Sequence, residues 1–245
     1  MRNIKLLIEY DGTSYSGWQS QDNAFGIQEV IENAIEKTTG ERVKLVASGR
    51  TDAKVHAKGQ VANFYTNCTI PGKRFKLALN MNLPDDIIII DSEEVDIDFH
   101  SRFSSTKKRY RYIIYNGRMP SPLYRNLSYH VGRTLNIEEM RNAIEYFIGE
   151  KDFKSFMGRK AVVHTTVREL YSMEIIENGE FIEIVVVGKS FLKNMIRIIV
   201  GTLVFVGIGR IKSKDVEKII EGKDRRLAGP TAPPQGLYLE KVYYD

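Results

Sequence analysis

Residues 43–66 read VKLVASGRTDAKVHAKGQVANFYT. The two ends, VKLVASG (43–49) and GQVANFYT (59–66), are rich in β-branched, apolar and small residues and read as strands. Between them lies a polar loop that sets one carboxylate, Asp52, among Arg50, Lys54, His56 and Lys58. A connecting loop needs polar residues, but it does not need one acid ringed by cations.

Working outward, IKLLIEYDGTSYSGW reads as a strand running into a turn at Asp11-Gly12. Ile27, Val30, Ile31, Ala34 and Ile35 then recur at the helical period, with Gly40 as the stop. Beyond the quoted stretch, residues 73–81 suit a helix, and DIIIIDSEEV and KKRYRYIIYN suit strands. The second half repeats the theme. Asn136 is placed to cap a helix with Glu139 at the capping-box position, and Met140, Ile144, Phe147 and Ile148 form its apolar side. VRELYSMEII and FIEIVVVG follow as strands, and residues 191–206 form a helix apolar on nearly all sides, hence buried. Ser213 opens another helix that Gly222 ends, and GLYLEKVYY closes as a strand. The pattern is α+β, with two related halves, residues 1–106 and 107–245, each mixing helices with short strands that suit antiparallel pairing.

With 42% hydrophobic and 27% charged residues over 245 positions, the composition is that of a globular chain able to bury a core. The net charge of +5 favours a polyanionic partner. A single cysteine, Cys68, excludes an intrachain disulfide, and the four scattered histidines lack zinc-site spacing, so no metal is expected. The N-terminal apolar run is broken by Glu9, too early for a signal peptide, and residues 191–206 include Arg197 and fall short of the roughly 20 a bilayer requires. A cytoplasmic protein without membrane attachment is expected. GTSYSG (12–17) is not a nucleophile elbow, GIGRIK lacks the third glycine of a dinucleotide loop, and no phosphate loop or zinc-deaminase motif is present, so no cofactor is expected.

Three places carry potential chemistry. Asp52 reads either as a turn residue accepting backbone hydrogen bonds or as a nucleophile or base kept ionised by neighbouring cations. Arg50 lies two residues away, on the same side of an extended segment, where it could support the acid or bind a phosphate. Arg197, in the apolar SFLKNMIRIIVGTLVFV, either snorkels or, if buried, requires an anionic partner. In KKRYRYIIYN, alternation puts Tyr110, Tyr112 and Ile114 on one side and Arg109, Arg111 and Ile113 on the other. That suits an ordinary sheet strand, and it also suits stacking of nucleobases, worth roughly 1–3 kcal/mol per base.

At these residues the chain resembles the tRNA pseudouridine synthase A family. SGRTDAKVHAKGQ is similar to the family's catalytic motif, which places the essential aspartate on Asp52. RYRYIIYN is similar to the motif of the active-site tyrosine, here Tyr110. GKSFLKNMIRIIVGTL is similar to the segment whose arginine pairs with the aspartate, here Arg197. YDGTSYSGWQ, LPDDI, FHSRFSSTKKRY, KDFKSF and APPQGLYL follow family order from Tyr10 to Leu239. Two positions depart from the pattern: Lys54 stands where glycine is usual, and Lys151 where histidine commonly precedes Asp-Phe. A position that takes glycine is one that can require positive φ, so Lys54 is expected to carry a backbone cost.

The resemblance implies two RRM-like or ferredoxin-like halves sharing a mainly antiparallel sheet flanked by helices, a homodimer, and no cofactor. It implies isomerisation of uridine to pseudouridine at positions 38, 39 and 40 of the tRNA anticodon stem-loop. Asp52 would be the nucleophile, Tyr110 would stack on the base, Arg197 would hold Asp52 ionised, and Arg50, Lys54 and His56 would engage the RNA. The competing reading of the same residues is a non-catalytic RNA-binding protein. A glycosidase or a base-releasing glycosylase fits less well: glycosidases typically need two placed carboxylates, and only Asp52 stands out.

Overall fold

Runs rich in Val, Ile and Tyr recur along the chain and become strands, some with one side buried and one, β3, buried on both sides over most of its length. The computed structural model describes residues 1–19, 25–158 and 163–244. In chain order the elements are β1 (Arg2–Tyr10), α1 (Ile27–Thr39), β2 (Val46–Ala47), β3 (His56–Thr66), α2 (Phe75–Asn80), β4 (Ile87–Val95), β5 (Lys107–Tyr115) and β6 (Tyr129–His130). They continue with α3 (Ile137–Ile144), β7 (Gly149–Asp152), β8 (Val167–Asn178), β9 (Phe181–Gly188), α4 (Met195–Gly207), α5 (Asp215–Glu221) and β10 (Leu237–Tyr243). The fold class is α+β, with mainly antiparallel sheet and flanking helices. No helix among the described residues is long and apolar enough to cross a membrane.

The chain separates into two units, Met1–Thr106 with Tyr238–Asp245, and Lys107–Leu237. The last strand therefore lies almost wholly with the N-terminal half, because Tyr238 and Leu239 pair parallel with His56 and Ala57. In the first unit β1 pairs antiparallel with both β3 and β4, and β2 pairs with β3. That is the strand–helix–strand–strand–helix–strand order of a ferredoxin-like unit. Ile4, Leu6 and Ile8 of β1 are fully buried, as are Ile31 and Ile35 of α1 and Phe75 of α2. Gly40 ends α1 in the left-handed conformation, φ 76°, donating its N–H to Glu36 O.

In the second unit β9 is antiparallel to both β5 and β8, β7 is added on β8, and β6 lies parallel to β5. Gly179, at φ 59°, and Glu180 close the β8–β9 hairpin beyond the pair Asn178↔Phe181. Most of α4 is buried.

Three local expectations need correction. The strand read over 43–49 shrinks to Val46–Ala47, because the Leu45 N–H is taken by the Glu32 carboxylate rather than by a ladder partner. Asn136 caps α3 through the Glu139 N–H, but the Glu139 carboxylate accepts from Ser213 Oγ at 2.8 Å instead of closing a capping box. The buried helix begins at Met195, not at 191, because Asn194 is left-handed at φ 61°.

Candidate active site

Asp52 heads a tight turn. Its carbonyl accepts the Val55 N–H at 3.2 Å, and Lys54 at the third position has φ 63°. A positive φ there is the signature of a type II turn, whose third residue is usually glycine. The expected backbone cost at Lys54 is thus real. Thr51 is buried, Asp52 half-buried, and Arg50 and Lys54 exposed.

The turn is set against the segment that follows β1. Gly17 bridges Asp52, Trp18 N–H donates to Thr51 O at 3.0 Å, and Lys54 N–H donates to Tyr15 O at 3.3 Å. Two glycines make this approach fit. A Cβ on Gly12 would lie 2.1 Å from Val55 O, and one on Gly17, at φ 111°, would lie 2.6 Å from Thr51 O. Tyr15 reaches Asp86 Oδ1 at 2.5 Å, and Asp11 N–H donates to Asp86 O at 2.9 Å, which ties the segment to the loop before β4. From β3, buried Gln60 accepts from Ser48 Oγ at 2.8 Å and donates to Gly49 O at 2.9 Å. The site is held by backbone pairing and buried amides before any substrate arrives.

Tyr10 anchors the loop from below, bonding Thr51 Oγ1 at 2.8 Å. Burial pushes the phenol up to about 12, against the opposing pull of its bonds to Thr51 and Gln60. A raised phenol pKa means the fold favours the neutral form. That contribution is complete below pH about 10, the unfolded value, and is lost as pH rises through about 12. We expect the stability gap between wild type and Tyr10→Phe to shrink by about 3 kcal/mol over that interval. Urea unfolding of both proteins in steps from pH 9 to above pH 12 measures it; parallel curves would refute the assignment.

In the second unit, Tyr110 sits half-buried on β5 with its ring edge-on to Phe191, centroids 5.1 Å apart. The next tyrosine on that side, Tyr112, is fully buried and donates to Pro233 O at 2.7 Å. Burial raises its pKa, and the nearby positive charge of Arg197 opposes that rise. Arg111, on the other side, pairs with Glu183 across the strands. Arg197 is half-buried on α4; its Nε donates to Ala232 O at 2.8 Å and an Nη to Asn194 Oδ1 at 2.8 Å. Its own carbonyl accepts the Ala232 N–H at 2.9 Å. The left-handed Asn194 thus serves two purposes: it starts the helix and aims the guanidinium. Lys193 precedes the helix and is exposed.

Comparison with known proteins decides what this architecture belongs to. A family model described as tRNA pseudouridine synthase matches residues 6–104 and 143–245. The chain is 51% identical over 244 residues to "tRNA pseudouridine synthase A" of Acetivibrio thermocellus, covering all of both chains. Proteins of the same name from Ruminiclostridium cellulolyticum and Thermoanaerobacter sp. (strain X514) are 51% and 49% identical, again over their full length. The chain belongs to the tRNA pseudouridine synthase family. It is an isomerase that converts uridine to pseudouridine.

In this synthase Arg50, Asp52 and Lys54 lie together on one loop, whereas Tyr110 and Arg197 belong to the other unit. His56, expected to engage RNA, is buried and stacks on Tyr238, centroids 4.7 Å apart. Tyr10, Gly12, Gly17, Gln60 and Asn194 support the site but escaped the reading of single residues. The unusual density of glycine, serine and tyrosine in YDGTSYSGW was the signal available for the first three.

Lys54 offers a direct test of the turn geometry. A non-glycine residue in the left-handed region costs about 1–2 kcal/mol, and glycine's greater freedom in the unfolded chain offsets roughly 0.4–1 of that. Lys54→Gly in this synthase should therefore gain about 1 kcal/mol. The check is a higher urea midpoint at unchanged slope; a lower midpoint would mean that the turn is not strained.

Proposed function

We propose that this synthase isomerises uridines 38, 39 and 40 in the anticodon stem-loop of tRNA, in the cytoplasm and as a homodimer, with Asp52 as nucleophile. The observation that carries this is the setting of Asp52: a half-buried acid on a hydrogen-bonded turn, backed by the Gly12–Trp18 segment and flanked by exposed Arg50.

The target base must leave the helical stack for its glycosidic bond to be reached, at a cost of a few kcal/mol. Stacking on Tyr110 offsets part of that cost. Asp52 then forms a covalent adduct with the nucleotide as the bond from N1 to the sugar carbon breaks. The uracil turns in the pocket, and a bond forms from carbon 5 to the same sugar carbon as the adduct with Asp52 breaks and the carboxylate is released. The proton on carbon 5 departs, with Tyr110 assisting, and N1 gains one, so no atom is added and no external oxidant or energy source enters. Arg197 partners Asp52 in the reaction, and Arg50 and Lys54 engage the phosphate backbone.

The test is tritium release from tRNA labelled at uridine carbon 5, with wild type and Asp52→Ala side by side. Release by the wild type alone, with no free uracil, supports the reading. Free uracil would indicate a glycosylase. Salt-sensitive binding without release would indicate an RNA-binding protein instead.

A further inference from the structure

Behind Asp52, three groups meet at one nitrogen. His56 Nδ1 lies 3.1 Å from the Gly12 N–H, which donates to it, and 3.0 Å from Asp11 Oδ1. One ring nitrogen cannot serve both. Unprotonated, it accepts the Gly12 amide and faces the carboxylate lone pairs; protonated, it donates to Asp11 and can no longer accept from Gly12. The ring itself cannot move aside, since it is 1% exposed and lies against Tyr238 at an interplanar angle of 22°.

Gly12 begins the segment that backs the Asp52 turn. Its carbonyl accepts the Tyr15 N–H at 3.0 Å, Tyr15 O accepts from Lys54, and Gly17 bridges Asp52. Two titratable groups face the ring: Asp11, from the connection after β1, and Tyr238, from β10. Burial, and secondarily Asp11, keep the Tyr238 phenol protonated across the whole working range. Asp11 Oδ1 also accepts the Thr13 N–H at 2.9 Å and the Thr13 hydroxyl at 2.5 Å, so its position is fixed.

The structure assigns His56 the role of a positioning residue: its unprotonated Nδ1 holds the Gly12 amide, and with it the segment against which Asp52 is set. Protonation transfers that nitrogen to Asp11 and loosens the backing of the turn. This role rests on Asp52 being the nucleophile, but the hydrogen bond itself can be tested without turnover.

Asp11-Gly12 is the one Asp-Gly step among the 19 glycines of the sequence. Labelling Asp carbonyls with carbon-13 and Gly amides with nitrogen-15 therefore isolates the Gly12 amide in a spectrum of the full chain. As pH is lowered, this resonance should move in step with the acid-side fall of kcat. In His56→Asn, whose side-chain oxygen replaces Nδ1 as acceptor but takes up no proton, the resonance should stay put and the acid limb should vanish. Most of the turnover lost in His56→Ala should also return. His56→Ala itself should lose about 10- to 100-fold in kcat at unchanged KM for tRNA, the size of effect a small misplacement of a reacting group produces. Asp11→Asn, which removes the anion that favours the protonated ring, should move the acid limb to lower pH.

A Gly12 resonance indifferent to pH while kcat falls would overturn the proposal. So would an unchanged acid limb in His56→Asn, or a rise in KM alone in His56→Ala, which would make His56 an RNA contact. If wild type released no tritium at all, the proposed reaction would fall, and the Gly12 resonance would still decide the hydrogen bond.

Discussion

Asp52→Asn is expected to lower turnover by at least about 10⁴-fold, the scale seen when a group that acts within a catalytic set is removed. The amide is isosteric, so the Asp52 carbonyl still accepts the Val55 N–H, and the bridge to Gly17 is a backbone contact that the side chain does not enter. What changes is the charge and the electron pair available to form the adduct. Because the side chain is only half-buried, the melting temperature should stay close to that of the wild type, and tRNA affinity should be retained. Tritium release under single-turnover conditions, paired with filter binding, separates these outcomes. Near-normal release would remove Asp52 from the mechanism and leave it a turn residue.

Arg197→Ala carries the next largest effect, a loss of about 10²–10³-fold in kcat, by analogy with removing a preorganised charged or polar donor from an active site. Its guanidinium is preorganised by Ala232 O and Asn194 Oδ1 before substrate binds. Arg197→Lys keeps the charge but not the planar fork and should recover only part of the rate. If Arg197 works through Asp52, then adding Arg197→Ala to Asp52→Asn should cost almost nothing more in rate, since residues acting as a unit are not additive. A full further loss in the double variant would mean that Arg197 acts independently, for example on the RNA alone. Stability should also fall, by about 1–3 kcal/mol, because the buried Ala232 carbonyl loses its side-chain donor. Urea unfolding reads that change apart from the kinetics.

Asp52, Tyr110 and Arg197 stood out in the chain as candidates, because each lies in a revealing local context: an acid among cations, an aromatic–basic strand, and an arginine in an apolar helix. Local periodicity likewise announced α1, β3, β4, β5 and the β8–β9 pair. Lys54 was legible in a finer way: a lysine where glycine is usual implied a left-handed residue, and its φ of 63° bears this out. These features depend on backbone preferences and side-chain patterning within a few residues, which a linear sequence carries whole.

What the tertiary structure decided concerns approach and burial. Nothing in YDGTSYSGW says that Gly12 and Gly17 exist to let one backbone reach Val55 and Thr51, because the missing Cβ atoms matter only once the opposing strand is in place. His56 looks like one more cation around Asp52 in sequence, yet it lies buried against Tyr238, a residue more than 180 positions away that pairs beside it only in the sheet. The same holds for the return of β10 to the first unit and for the donors that Ala232 and Asn194 draw from Arg197. Such contacts join distant segments, and their energy depends on which atoms meet and whether water is excluded. Folding sets both, so composition and local period leave them open.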